Sequence, residues 1–305
     1  MSDITHLGMG IVHYKNLIDV DQDLIIPYLS GLRQKALEKD FTFIHDDNGR
    51  RVYAVNRSGH RYSLYDVESA CNHIMDFESD NEDYNNFFRL CDKAMYDALL
   101  SYVEIFPMIL PCLWWRTKGH VVAYGSGSYF GLHCDNDINY QPGAIPDQQL
   151  AIRNVVGCII YFNDSVKNNQ QKNNYDYVGG EIVFPYADVE FAPKAGDALV
   201  FPSNYLASHE VKNCISGERY AYVGYFAQGS SDPEHGINIM EDQGKLDCGQ
   251  VWMPQLFNDY IEYINNKKIQ DQDTLHKLLQ PTKRIQTSNN TTREVEKEKT
   301  KNDQQ

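Results

Sequence analysis

From Trp114 onward the chain breaks into short apolar and aromatic runs separated by Gly, Pro, Asn and Asp, and this texture limits its folding more than any other feature. Strands are predicted over Trp115 to Tyr124, Tyr129 to Asp135, Val155 to Asn163, Gly180 to Pro185, Ala198 to Pro202, Ser208 to Val211 and Arg219 to Ala227. Many short strands at such spacing favour an all-β sandwich or jelly roll over an alternating strand and helix fold. The polar stretch Asp164 to Tyr177, rich in Asn, Gln and Lys, is predicted as a long surface loop, with a substrate-facing lid and a plain insertion as its two readings.

The flanks have a different period. Between Asp21 and Lys39, Leu24, Ile25, Tyr28, Leu29, Leu32 and Ala36 recur at steps of three and four, the pattern of one buried helix face. Tyr84, Phe87, Phe88, Cys91, Met95, Leu99 and Tyr102 repeat it between Asn81 and Phe106, before Pro107 and Pro111 interrupt it. His45 to Tyr65, with Gly49 and Gly59, reads as a strand or loop excursion. An amphipathic helix is expected from Val251 to Asn266, and disorder from Pro281 to Gln305, where large apolar residues almost vanish. The expected organisation is therefore an N-terminal helical and support region over 1–113, a β core over 114–228, a loop and helix over 229–280, and a tail over 281–305.

With 305 residues and 42% hydrophobic content the chain can bury a substantial core, and its net charge of -14 opposes a general nucleic-acid or anionic-membrane role, which needs clustered Lys and Arg. No basic stretch followed by an apolar one opens the sequence, and no run approaches about 18 apolar residues. A cytoplasmic location is the expectation. The seven cysteines lack CxxC pairing and read as reduced thiols.

Chemistry concentrates around Gly131-Leu132-His133-Cys134-Asp135. On a strand, residues i and i+2 share a face, so His133 and Asp135 would point inward together while Cys134 points away as a packing residue. His209 is a third candidate ligand if its strand lies alongside, and Arg219 follows ten residues later. One carboxylate and two imidazoles match a facial iron site, and a guanidinium suits an acidic cosubstrate. Taken alone, a His-x-Asp pair is more often an ordinary hydrogen-bonded pair. Asp137 is expected to flank the site rather than ligate. The other histidines, His73 and His120 among them, have no companion spacing and are expected to be surface or satisfied core residues. Gly125-Ser126-Gly127 lacks the Lys of a phosphate loop and reads as a turn.

The surrounding order of motifs adds weight. Tyr124-Gly125-Ser126-Gly127-Ser128-Tyr129-Phe130 precedes the His-x-Asp segment; Gly179-Gly180-Glu181-Ile182-Val183-Phe184-Pro185, Gly196-Asp197-Ala198-Leu199-Val200-Phe201-Pro202-Ser203, His209-Glu210-Val211 and Gly217-Glu218-Arg219-Tyr220 follow it. Over about residues 114 to 228 this resembles the prolyl 4-hydroxylase-like branch of the Fe(II)/2-oxoglutarate-dependent dioxygenases. The resemblance implies a double-stranded β-helix (jelly roll) core packed by N-terminal helices, mainly β with flanking helices (α+β). It also implies His133, Asp135 and His209 as iron ligands, Arg219 as the ion-pair partner of the distal carboxylate of 2-oxoglutarate, Tyr161 sharing that carboxylate, and Tyr124 at the mouth of the metal pocket. Ile159, Ile182 and Val211 would be its apolar walls. Fe(II), 2-oxoglutarate and O2 are the implied cofactor and cosubstrates, with ascorbate as reductant. The implied reaction is hydroxylation coupled to release of succinate and CO2. Substrate class stays open between a peptidyl prolyl residue or related amino acid and a free small molecule. A metal-free jelly-roll binding module and a cupin-type enzyme with another metal are the rival readings.

Overall fold

The stretch before the first expected helix is a hairpin. Strands β1 (Asp3–Gly8) and β2 (Ile11–Lys15) turn through Gly8, Met9 and Gly10, all at positive φ, where glycine is the unstrained choice. The structure is a computed structural model that describes residues 3–69, 71–135, 153–168, 173–229, 231–232 and 250–267. Helix α1 (Gln22–Asp40) begins where the Asp21 side chain accepts from the Leu24 backbone N–H at 3.1 Å, and it buries Ile25, Ile26, Leu29 and Leu37. The segment with Gly49 and Gly59 is a separate three-stranded antiparallel sheet of β3 (Phe41–His45), β4 (Arg51–Asn56) and β5 (Arg61–Tyr62). Helix α2 (Leu64–Glu68) and strand β6 (Cys71–Ile74) lead to α3 (Glu82–Ile105), capped by the Asn81 side chain.

Helix α3 buries Phe87, Phe88, Cys91, Met95, Leu99 and Tyr102, the face its periodicity predicts. Each such side chain stabilises the fold by roughly 1.5–3 kcal/mol on burial. It packs on the outer side of the main sheet: the ring of Phe87 meets that of Phe162 at 5.1 Å, and the hydroxyl of Tyr222 donates to Asp92 at 2.9 Å.

The strand-rich middle contains β7 (Trp115–Thr117), β8 (His120–Tyr124), β9 (Phe130–His133), β10 (Arg153–Tyr161), β11 (Ser165–Val166), β12 (Tyr177–Gly179), β13 (Ile182–Phe184), β14 (Val189–Phe191), β15 (Ala198–Pro202), β16 (His209–Val211), β17 (Cys214–Ser216) and β18 (Arg219–Gln228). Eight of these wind into two antiparallel sheets. One runs β15-β10-β18-β8, the other β14-β13-β16-β9. Ile159, Tyr161, Leu199, Phe201, Ala221 and Val223 of the first sheet share a buried core with Ile182, Phe184 and Val211 of the second. That alternation of strands between two facing sheets is the expected double-stranded β-helix. The N-terminal region contributes more than helices, because β2 pairs with β15 and β6 with β8, lengthening the first sheet on both sides.

Some expectations change. The run Trp115 to Tyr124 is two strands, not one; at Gly119 the ring of Tyr222 lies 2.1 Å from where a Cβ would stand, so the chain passes there only as glycine. The expected loop Asp164 to Tyr177 is pinned at both ends by the parallel β11 and β12 pair, and Ser165, Asp176 and Tyr177 are buried. The expected helix Val251 to Asn266 starts later, as α4 (Leu256–Asn266), after a strand β19 (Gln250–Trp252) paired with β7. Pro254 disfavours helix at the residue before it, which fixes that late start. The chain falls into two units, Met1–Tyr260 and Ile261–Gln305. The expected tail over 281–305, Asp137, His235, His276 and Cys248 lie outside the described residues. Cys71, Cys91, Cys112, Cys134 and Cys158 are free thiols. Among the described residues no helix is long and apolar enough to cross a membrane.

Candidate active site

The alternation of β18 builds one wall of a cavity. Arg219, Ala221, Val223 and Tyr225 all line it. Register sets Tyr124 beside Arg219, Val122 and Tyr161 beside Ala221, His120 and Ile159 beside Val223, and Gly157 beside Tyr225. The cavity, about 140 Å³, therefore has an Arg219 end and an opposite end near Gly157, with Ile159, Ile182 and Val211 on its walls as expected.

At the Gly157 end stand the three candidate ligands. His133 closes β9 and His209 opens β16, and the two are register partners across the sheet. Asp135 lies two residues beyond the end of β9, so strand alternation is not what points it inward. Instead the Asn154 amide donates to the Asp135 carbonyl at 3.0 Å, and Gly157 leaves room for the carboxylate: a Cβ there would sit 3.1 Å from Asp135 Oδ2. Asp135 Oδ1 is 3.5 Å from His133 Nε2 and 3.9 Å from His209 Nε2. The three donors lie within 4.8 Å of one another, the one such metal-binding group found among the described residues.

Nδ1 of His133 faces the Gly131 carbonyl at 2.8 Å, and Nδ1 of His209 faces that of Ala207 at 3.1 Å. A nitrogen facing a carbonyl must carry the hydrogen, which leaves both Nε2 lone pairs turned toward Asp135. Burial works against the imidazolium of His133, but hydrogen bonding to Asp135 outweighs it and its pKa moves up. For the deeper His209 burial wins, and the pKa moves down.

Arg219, only 2% exposed, occupies the other end. Its guanidinium carbon lies 4.6 Å from the ring centre of Tyr124 and 5.3 Å from that of Tyr161. Tyr124 is thus at the inner end, beside Arg219, rather than at the mouth. Burial opposes the charge on Arg219, yet Tyr177, Tyr124 and Tyr161 outweigh it and hold the group protonated. Among the described residues no carboxylate lies within ion-pair distance of Arg219; its Nε is buried without a hydrogen-bond partner, and the buried hydroxyls of Tyr161 and Tyr177 lie beside the guanidinium and meet no other partner. A buried cation ringed by unpaired polar atoms is arranged to receive an anion.

Residues 119–227 match the family model of the 2OG-Fe(II) oxygenase superfamily. They form a 2OG-Fe(II) oxygenase domain. No curated protein matches the chain. Among solved structures it is similar to a viral collagen prolyl hydroxylase from Paramecium Bursaria Chlorella virus-1, at 14% identity over 73% of this chain and 98% of that one with a TM-score of 0.42. It is also similar to a Pseudomonas putida prolyl-4-hydroxylase, at 17% identity over 73% and 94% with a TM-score of 0.40. A third is a Trichoplax adhaerens prolyl hydroxylase in complex with a hypoxia inducible factor oxygen degradation domain peptide fragment, at 18% identity over 75% and 87% with a TM-score of 0.43. Likeness at those scores carries no functional weight.

Membership of this superfamily implies Fe(II), 2-oxoglutarate and O2, and the residues of the oxygenase domain fit them. Two imidazole nitrogens and one carboxylate oxygen suit Fe(II) and leave coordination positions open. Arg219 suits a dicarboxylate's far end. Sequence reasoning passed over Gly157, Asn154, Tyr177 and Tyr225. Glycine in the middle of an apolar strand was the available signal for Gly157, since it marks close approach of another group. His73 and His120, expected as bystanders, stack at 5.3 Å, and His73 lines the cavity wall. A larger cleft of about 580 Å³ lies on the outer side of the sheet beside Tyr222; it contains no metal-binding group among the described residues, and its Arg116 and Arg89 pair with Asp92 and Glu82.

Proposed function

We propose that the oxygenase is a hydroxylase of prolyl 4-hydroxylase type acting on a peptidyl prolyl residue or a related amino-acid substrate. The observation that carries this reading is the placement of His133, Asp135 and His209 at one end of a single cavity with the unpaired Arg219 at the other. Bound Fe(II), with 2-oxoglutarate and O2, supplies hydroxylation of an unactivated C–H bond with release of succinate and CO2. The chain's own share is positional. Nδ1 hydrogen bonds hold the two imidazoles in the tautomer that offers Nε2, and Asn154 and Gly157 set the depth of Asp135. Arg219 and Tyr161 grip the cosubstrate's distal carboxylate away from water, where the charge pairing is strongest. The apolar walls Ile159, Ile182, Val211 and Val223 keep bulk water from the reacting centre.

Cavity size supports a peptide. About 140 Å³ is well below the roughly 300–1,000 Å³ of sites that enclose a small molecule. Such a space suits metal and cosubstrate, with only the reacting end of a larger substrate at its mouth. The net charge of -14 favours a neutral or basic peptide.

The test is incubation of the purified protein with Fe(II), 2-oxoglutarate and ascorbate, the last to return oxidised iron to Fe(II). Succinate is expected to form slowly alone and faster with substrate, and a +16 Da product is expected in a prolyl-containing peptide pool. A +16 Da product confined to free metabolites would move the reading to a small-molecule hydroxylase. Absence of both iron uptake and 2-oxoglutarate consumption would leave a jelly-roll binding module.

A further inference from the structure

Tyr177 has no role in the reading above except as a neighbour, yet its surroundings are those of a binding group. It sits at the start of β12, fully buried, with a hydroxyl that meets no partner besides the guanidinium of Arg219. Gly180 brings it to Arg219. At a φ of +64° this residue needs to be glycine, and the space a Cβ would fill is taken from two sides, by Tyr177 Cε2 at 2.8 Å and by Arg219 Cδ at 3.3 Å. The ring of Tyr177 and the stem of Arg219 therefore both border the space beside Gly180, while the rings of Tyr124 and Tyr161 face the guanidinium.

Arg219 Nε is buried without a partner, and the buried Tyr161 Oη and Tyr177 Oη meet none besides the guanidinium. Leaving a buried donor unmade is costly, so the guanidinium Nε and the two phenols beside it point to an acceptor they share. A carboxylate has two oxygens and about four lone-pair sites, enough for a guanidinium and two phenols at once. A packing role alone would be served by phenylalanine. Resting on the proposed 2-oxoglutarate reading, we infer that Tyr177 is a second phenolic donor to the distal carboxylate of the cosubstrate, acting with Tyr161 and Arg219. Three donors of different reach would favour a carboxylate at one distance from the metal, which makes this end a ruler for cosubstrate length as well as an anchor.

The experiment is calorimetric titration of 2-oxoglutarate into the Mn(II)-loaded protein, comparing wild type with Tyr177→Phe and Tyr161→Phe, with 2-oxobutyrate as a 2-oxo acid that lacks the distal carboxylate. Tyr177→Phe keeps the ring and is expected to bind 2-oxoglutarate roughly 10- to 100-fold more weakly, the worth of a hydrogen bond to a charged acceptor. Its affinity for 2-oxobutyrate and its Tm should stay at wild-type values. Unchanged 2-oxoglutarate affinity in Tyr177→Phe, with wild type binding normally, overturns this assignment alone. Equal weakening toward both acids also overturns it, in favour of packing. If the wild type itself fails to bind 2-oxoglutarate, the proposed function falls and this inference with it.

Discussion

Where the candidate metal ligands meet, the cavity is made from strand ends of the smaller sheet: the last residue of β9, the first of β16, and Asp135 beyond the end of β9. Its opposite end is also made from strand ends, but those of the larger sheet: Arg219 opens β18, and Tyr124 and Tyr161 close β8 and β10. His133 is half-buried, whereas Arg219 is sealed. The difference in burial between His133 and Arg219 fits the roles proposed for the two ends. A metal centre has to leave coordination positions open to O2 and substrate, which the half-buried His133 allows, while His209 and Asp135 lie deeper. An anchor for a carboxylate that does not react gains from exclusion of water, because the same charges attract more strongly in a low dielectric.

The largest effects should separate the two ends. His209→Ala is expected to abolish Fe(II) binding and succinate formation together. Arg219→Ala should weaken 2-oxoglutarate binding by about 100-fold or more, the cost of losing a bidentate charged partner, while Co(II) titration still gives one site of wild-type affinity. Should Arg219→Ala lose the metal as well, the two ends are not independent and the comparison fails.

The next effect concerns acid stability on the metal side. Burial, with His73 adding to it, lowers the His120 pKa from 6.5 to about 4. A folded-state pKa below the unfolded one means the unfolded chain takes up the proton first, so stability present above about pH 6.5 falls as pH drops toward 4. Between pH 7.5 and 5 the wild type should lose about 2 kcal/mol more than His120→Phe, read from urea denaturation. Parallel curves for the two proteins would show that His120 is not held neutral by the fold.

A smaller and more local change sharpens how Asp135 is placed. Gly157→Ala puts a methyl 3.1 Å from Asp135 Oδ2 and the same distance from the Phe201 ring, so both must give way by a few tenths of an ångström. Metal affinity should fall about tenfold, with 2-oxoglutarate affinity of the metal-saturated protein little changed. Wild-type metal affinity in Gly157→Ala would mean that the carboxylate is set by Asn154 and the backbone alone.

Periodicity located α1 and α3 to within a residue or two, because a helix buries a face whose spacing is written locally. It located the central strands almost as well. It left β1, β2 and β6 unread, since β2 and β6 are stabilised by pairing with distant strands rather than by their own pattern, and β1 only joins the sheet through β2. Motif order brought His133, Asp135, His209 and Arg219 forward as candidates. Strand alternation gave a wrong physical reason for Asp135, whose direction depends on Asn154 and on the missing side chain of Gly157. Nothing in the local sequence marks Tyr177 or His73, because what makes them notable is a partner far along the chain.

By itself, then, the sequence determined the classes of element and the donor set, as both follow from residue type and near-neighbour spacing. The tertiary structure alone decided that those donors lie within 4.8 Å of one another, that Tyr124 stands beside Arg219 and not at the mouth, and that two buried phenols lie beside one guanidinium. Those are long-range facts. They depend on register between strands separated by tens of residues, and a shift of one residue would turn every inward side chain to the other face.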